Sequence, residues 1–160
     1  MKRMILAVLL VMTTATSMFA QFEQGKKYVN ASLTGLDLSF SDLKDVALGL
    51  DANAGYFLEQ DIMLLANVGF DASNSDINDF HLGAKARYYI EQNGLFLGAG
   101  VQYLHMKKNI NDVQLTPEVG YCYFLNQYIT VEPSLYFDMS LSDFSHQSKV
   151  GLKVGVGIYF

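Results

Sequence analysis

The strongest constraint on the fold lies in the stretch KVGLKVGVGIYF, from Lys149 to Phe160. Val150, Leu152, Val154, Val156, Ile158 and Phe160 share one parity, while Lys149, Gly151, Lys153, Gly155, Gly157 and Tyr159 share the other. Alternate side chains of a strand point to opposite faces, so this stretch carries one unbroken apolar face and one small or basic face. A tilted strand crosses the hydrocarbon core of a bilayer in about 9–11 residues. The length therefore fits a membrane-crossing strand that stops at an aromatic residue.

The same alternation recurs upstream. Strands are predicted at Gly25–Phe40, Val46–Leu58, Ile62–Ala72, Phe80–Ile90, Leu95–Tyr103, Val113–Leu125 and Ile129–Met139, with a parity slip at Gly35 that suggests a β-bulge. Short turns at Glu59–Asp61, Glu91–Gly94 and Asn126-Gln127 alternate with longer polar loops at Ser41–Asp45, Ser73–Asp79, Lys107–Asn111 and Ser142–Gln147. This spacing predicts an all-β chain: an eight-stranded antiparallel up-and-down transmembrane β-barrel, its ends on the short-turn, periplasmic side. Tyr56, Tyr88, Tyr123 and Phe160 then ring the short-turn end, and Phe40, Phe70, Phe80, Tyr103 and Phe137 ring the other. Pro117 and Pro133 each remove a ladder donor, so local broken pairing is expected at both.

The N-terminus has Lys2 and Arg3, an apolar run from Met4 to Met12, and a small, polar stretch ending at Ala20. That is the layout of a cleaved signal peptide over residues 1–20, leaving a barrel domain over 21–160. Removing Lys2 and Arg3 from the eleven basic residues leaves nine against sixteen acidic ones, a formal charge of −7. Such a balance argues against nucleic acid as a partner. The single Cys122 rules out an intrachain disulfide framework. No apolar run beyond residue 20 reaches the roughly 18 residues of a spanning helix. A closed barrel satisfies its backbone without one.

Taken together, the signal peptide, the eight alternating strands and the terminal Phe160 resemble the small outer-membrane β-barrels, the OmpA- and OmpX-like group within the porin family. The resemblance implies residence in the outer membrane of a Gram-negative bacterium and a lipid bilayer as the surrounding partner. It also implies recognition of the C-terminal aromatic strand, with Phe160 as assembly signal, by the barrel-assembly machinery. A monomer without cofactor and without enzymatic activity is expected, with a structural, envelope or surface-interaction role.

Inward parity collects Asp51, Lys85, Arg87, Glu118, Glu132 and Lys153 among other polar residues. The interior of an eight-stranded barrel is about wide enough to be filled by side chains. These six are therefore expected to form one mid-barrel ion network that largely plugs the lumen. Matching parities about the Glu91–Gly94 turn sets Lys85 opposite Gly100 and Arg87 opposite Gly98, which makes room for both stems. An alternative is a narrow gated pore in which the cations exchange carboxylates. A further alternative, a soluble lipocalin-like ligand-binding barrel, requires the opposite polarity, apolar inside and polar outside. His81, His105 and His146 differ in parity and loop placement, so no metal site is expected.

Overall fold

The computed structural model describes residues 22–37, 48–73, 76–91, 93–106, 110–141 and 149–160. The expected signal peptide, the loops Ser41–Asp45 and Ser142–Gln147, and Leu38, Phe40 and His146 lie outside these residues. The described residues form eight barrel strands: β1 Lys27–Asp37, β2 Leu48–Glu59, β3 Ile62–Ser73, β4 Asp76–Tyr89, β5 Leu95–Met106, β6 in three segments (Ile110–Leu115, Glu118–Tyr121 and Tyr123–Phe124), β7 Ile129–Ser140 and β8 Lys149–Tyr159. Each strand pairs antiparallel with its successor, and β8 returns to β1 with Tyr159 opposite Tyr28 and Val156 opposite Ala31. The sheet is closed, so it has no free edge.

Polarity follows the alternation. Leu33, Leu50, Leu82, Leu97, Val101, Val156 and Ile158 stand exposed on the outside, whereas Asn30, Ser32, Asn53, Asn67, Gln102 and Gln114 are buried inside. An apolar outer face around a polar interior is the reverse of a lipocalin, and it suits lipid. Tyr56, Tyr88, Tyr123 and Phe160 are exposed near the short turns, and Phe70, Phe80 and Tyr103 are exposed farther along the strands. The Phe70 and Phe80 rings touch across β3 and β4, with centroids 5.2 Å apart.

Two loops expected from sequence are shorter in the structure. Ser73 ends β3 and Asp76 begins β4, so most of the polar run 73–79 is strand. A register shift hides it: Asp71 faces Asp79 but Ala72 faces Ile77, which breaks the period-two signal. Ile110 and Asn111, also expected in a loop, begin β6 opposite Met106 and His105. The slip at Gly35 corresponds to a register shift between Leu33 and Leu36 against β8.

The prolines act on one seam. All three segments of β6 keep a single register against β7, with Gln114 facing Ser140, Glu118 facing Tyr136 and Tyr123 facing Val131. Phe137 donates its N–H to the Pro117 carbonyl at 3.0 Å, and Leu125 donates to the Ile129 carbonyl at 2.8 Å. Hydrogen-bonded positions alternate along an antiparallel pair, so Tyr121 and Pro133, which face each other in this register, occupy such a position. Both prolines thus withhold their donor from the β6–β7 ladder. Only β6 is interrupted; β7 continues through Pro133, where Val154 of β8 lies opposite. Pro133→Val restores a donor toward the Tyr121 carbonyl and is expected to raise stability by about 0.5–1.5 kcal/mol. The urea midpoint of the refolded barrel checks this; an unchanged or lower midpoint would count against the seam assignment.

Candidate functional site

The lumen is organised by rows that run across neighbouring strands with a glycine in the middle. On one row Arg87 of β4 faces Gly98 of β5, which faces Glu118 of β6. A Cβ on Gly98 would stand 3.4 Å from Glu118 Cβ and 3.5 Å from Arg87 Cγ, between the two stems. On another row Asp51 of β2 faces Gly69 of β3, which faces His81 of β4. A glycine leaves no side chain to separate its two neighbours, so an acid and a base one strand apart on either side can meet over it. Lys85 likewise faces Gly100, the pairing read from the 91–94 turn.

Arg87 is the centre of the arrangement. Its Nη2 donates to Glu118 Oε1 at 3.1 Å, and its Nη1 donates to Glu132 Oε2 at 2.9 Å and to the Tyr28 hydroxyl at 3.2 Å. The guanidinium also lies over the Phe96 ring, 4.2 Å from its centroid, a cation–π contact in a site shielded from water. Glu118 is shared further. Lys153 Nζ donates to Glu118 Oε2 at 3.2 Å, and Lys85 Nζ lies 3.9 Å from the same oxygen. Glu132 accepts from the hydroxyls of Tyr28 (2.5 Å), Tyr159 (3.1 Å) and Thr130 (2.7 Å) as well as from Arg87. Every ion here is at most 5% exposed. Charges so buried persist only when paired and hydrogen-bonded.

Below the ions lies an apolar floor. Phe22, Tyr28, Phe57, Met63, Leu65, Tyr89, Phe96, Cys122 and Tyr159 form one buried cluster, with Phe124 packed against it. Its polar tips are tied together: the Tyr89 and Tyr159 hydroxyls are 3.2 Å apart, and Cys122 Sγ is 3.4 Å from the Tyr159 hydroxyl. The lumen is therefore filled at two levels, by ion pairs and by aromatic packing.

Of the six lumen residues named from sequence, five are linked by direct contacts: Lys85, Arg87, Glu118, Glu132 and Lys153. Asp51 takes a different partner, His81, at 2.8 Å from Nε2 to Oδ1, although the charges of Lys153 and Lys85 act on it. Phe160 stands exposed on the outer face, and its backbone exchanges two hydrogen bonds with Lys27. Sequence reasoning missed the aromatic floor and the hydroxyls that complete Glu132. Phe57, Met63, Leu65, Tyr89 and Phe96 showed inward parity, and five large apolar residues on the polar face, all near the short turns, were the available signal.

No family model matches the chain, and no curated protein matches it. Solved structures do match. The N-terminal β-barrel domain of Pseudomonas aeruginosa OprF gives a TM-score of 0.67 at 17% identity, covering 86% of this chain and 98% of that one. Neisserial surface protein A gives 0.56 at 14% identity, covering 84% and 96%. A de novo designed transmembrane β-barrel gives 0.56 at 12% identity, covering 86% and 98%. Likeness at such identities is likeness of fold, and a fold does not by itself fix an activity. In fold, the chain is a closed eight-stranded antiparallel β-barrel, similar to the small barrels of the outer membrane.

Proposed function

We propose that the protein is a non-enzymatic integral barrel of a Gram-negative outer membrane, monomeric, with a structural or surface-interaction role and a lumen closed to solutes. The observation that carries this reading is the lumen filling, in which Arg87 bridges Glu118 and Glu132, and Lys85 and Lys153 pair with Glu118, above an aromatic floor. Ionisable groups bonded to one another favour plugging over catalysis. An apolar band around all eight strands suits a monomer in lipid, and the acidic balance of the mature chain disfavours nucleic acid. Removal of residues 1–20 by signal peptidase belongs to the same reading.

Planar-bilayer conductance of the refolded mature chain tests it. No resolved channel steps are expected; steady openings would favour the second reading, a narrow gated pore. That reading draws support from Glu118, which already touches three cations and can exchange one for another.

Assembly through the barrel-assembly machinery is part of the proposal, with Phe160 as its signal. Phe160 is exposed at the short-turn girdle, whereas its neighbour Tyr159 is buried in the lumen. Phe160→Asp is expected to reduce outer-membrane levels severalfold while Tyr159→Phe leaves them near the parent. Equal levels of the two variants in membrane fractions would remove Phe160 from that role.

A further inference from the structure

The floor of the lumen contains one residue that lies ahead of the first strand. Phe22 precedes β1 on a segment that folds back under the barrel, with Gly25 at a φ of 90°, a conformation that glycine adopts without strain. The segment is fastened to the end of β2 and the turn after it. Gly25 donates to the Phe57 carbonyl at 3.0 Å and Phe57 donates back to the Lys26 carbonyl at 3.0 Å, while Lys26 donates to the Glu23 carbonyl at 3.3 Å and the Gln24 side chain to the Leu58 carbonyl at 2.9 Å. Asp61 donates its N–H to the Phe22 carbonyl at 2.9 Å. The Phe22 ring is 1% exposed, stacked on Tyr89 at 4.0 Å and 17°, with Phe124, Tyr159 and Phe57 at 5.6, 5.8 and 6.0 Å.

Every other member of this floor sits on a barrel strand or, like Cys122, between paired segments of one. The β1–β8 seam closes from Lys27 onward, so the ladder does not depend on residue 22. We infer that residues 22–26 are a stopper, seated by Phe22, that closes the short-turn mouth of the lumen and leaves it without the barrel unfolding. This deepens the closed-lumen reading and rests on it, placing a second and independent closure beneath the ion pairs. The physical basis is the difference in what holds each part. Strands are held by ladders on both sides, whereas the segment's hydrogen bonds to the wall run to the end of β2 and the turn after it, so it opens first.

The chain supplies its own reporter. Cys122, its single cysteine, is 2% exposed within the same cluster. The test uses the full mature chain folded in phospholipid vesicles or micelles and a charged, water-soluble maleimide, with heat-modifiable gel mobility reporting the folded barrel. Phe22→Ala is expected to speed Cys122 labelling about tenfold or more, as removal of a packed aromatic ring opens the floor. Phe22→Leu, and Gln127→Ala at an exposed turn position, should label near the parent rate. Unchanged labelling in a folded Phe22→Ala barrel overturns the stopper, as does labelling in Phe22→Leu as fast as in Phe22→Ala. The parent gives a second measurement that needs no variant. Labelling by local opening depends weakly on urea, while a urea dependence as steep as that of global unfolding overturns the proposal. Conductance of the parent judges the closed lumen separately, so the two ideas fail by different results.

Discussion

Glu118→Ala is expected to destabilise the folded barrel by about 3–5 kcal/mol, read as a shift in its urea unfolding curve. Lys153 loses its 3.2 Å contact, Lys85 its 3.9 Å contact, and Arg87 one of its two carboxylates. None of the three can turn to water, since each is at most 5% exposed. The cost comes from the stranded cations more than from the missing contact. A second variant separates these contributions: Glu118→Gln with Lys153→Met removes one charge of each sign and is expected to cost less than Glu118→Ala alone. Glu59→Ala, at the exposed end of β2, should shift the curve by less than about 0.5 kcal/mol. A loss in Glu118→Ala no larger than this control would mean that the lumen ions are solvated.

Gly69→Ala and Gly98→Ala should move stability in opposite directions, although both glycines lie between an acid and a base. At Gly69 a Cβ would overlap Asp51 Oδ1 and the His81 ring, so these side-chain ends must shift and their 2.8 Å hydrogen bond is expected to be lost. Losing a buried hydrogen bond to a charged group costs about 1.5–3 kcal/mol. At Gly98 the Cβ has ordinary contacts of 3.4 and 3.5 Å with the stems of Glu118 and Arg87. No bond is broken there, and the restricted unfolded chain contributes about 0.4–1 kcal/mol of stability. Urea midpoints of the two variants decide the matter. If both lose stability equally, the glycines serve backbone geometry and not the rows above them.

Much of this architecture is legible in the chain because a barrel repeats one rule. Parity at Val46–Leu58 or Lys149–Phe160 already separates the face toward lipid from the face toward the lumen, and burial follows it over the described residues 49–58 and 150–160. Register across a short turn is legible for the same reason, as with Lys85 and Gly100. Where the period slips, the signal goes: the shift between Asp71 and Ala72 made strand residues read as loop. The position of Asp51 was obscured differently. Counting residues from the short turns ranks depth along each strand but ignores tilt, and the row through Gly69 carries Asp51 to His81. Phe22 left no periodic trace, since it lies before the alternation begins.

The closing seam bears on how the chain folds. Phe160 donates its N–H to the Lys27 carbonyl at 2.9 Å, and Lys27 donates to the Phe160 carbonyl at 2.7 Å, so the earliest strand is sealed by the latest. Neighbouring hairpins form from local contacts, but this ladder must gather residues from opposite ends of the barrel domain, a slow step with a large loop-closure cost. Until it forms, β1 and β8 are open edges with apolar faces, ready to pair with another copy. Refolding yield should therefore fall as protein concentration rises, through a bimolecular side reaction that competes with closure.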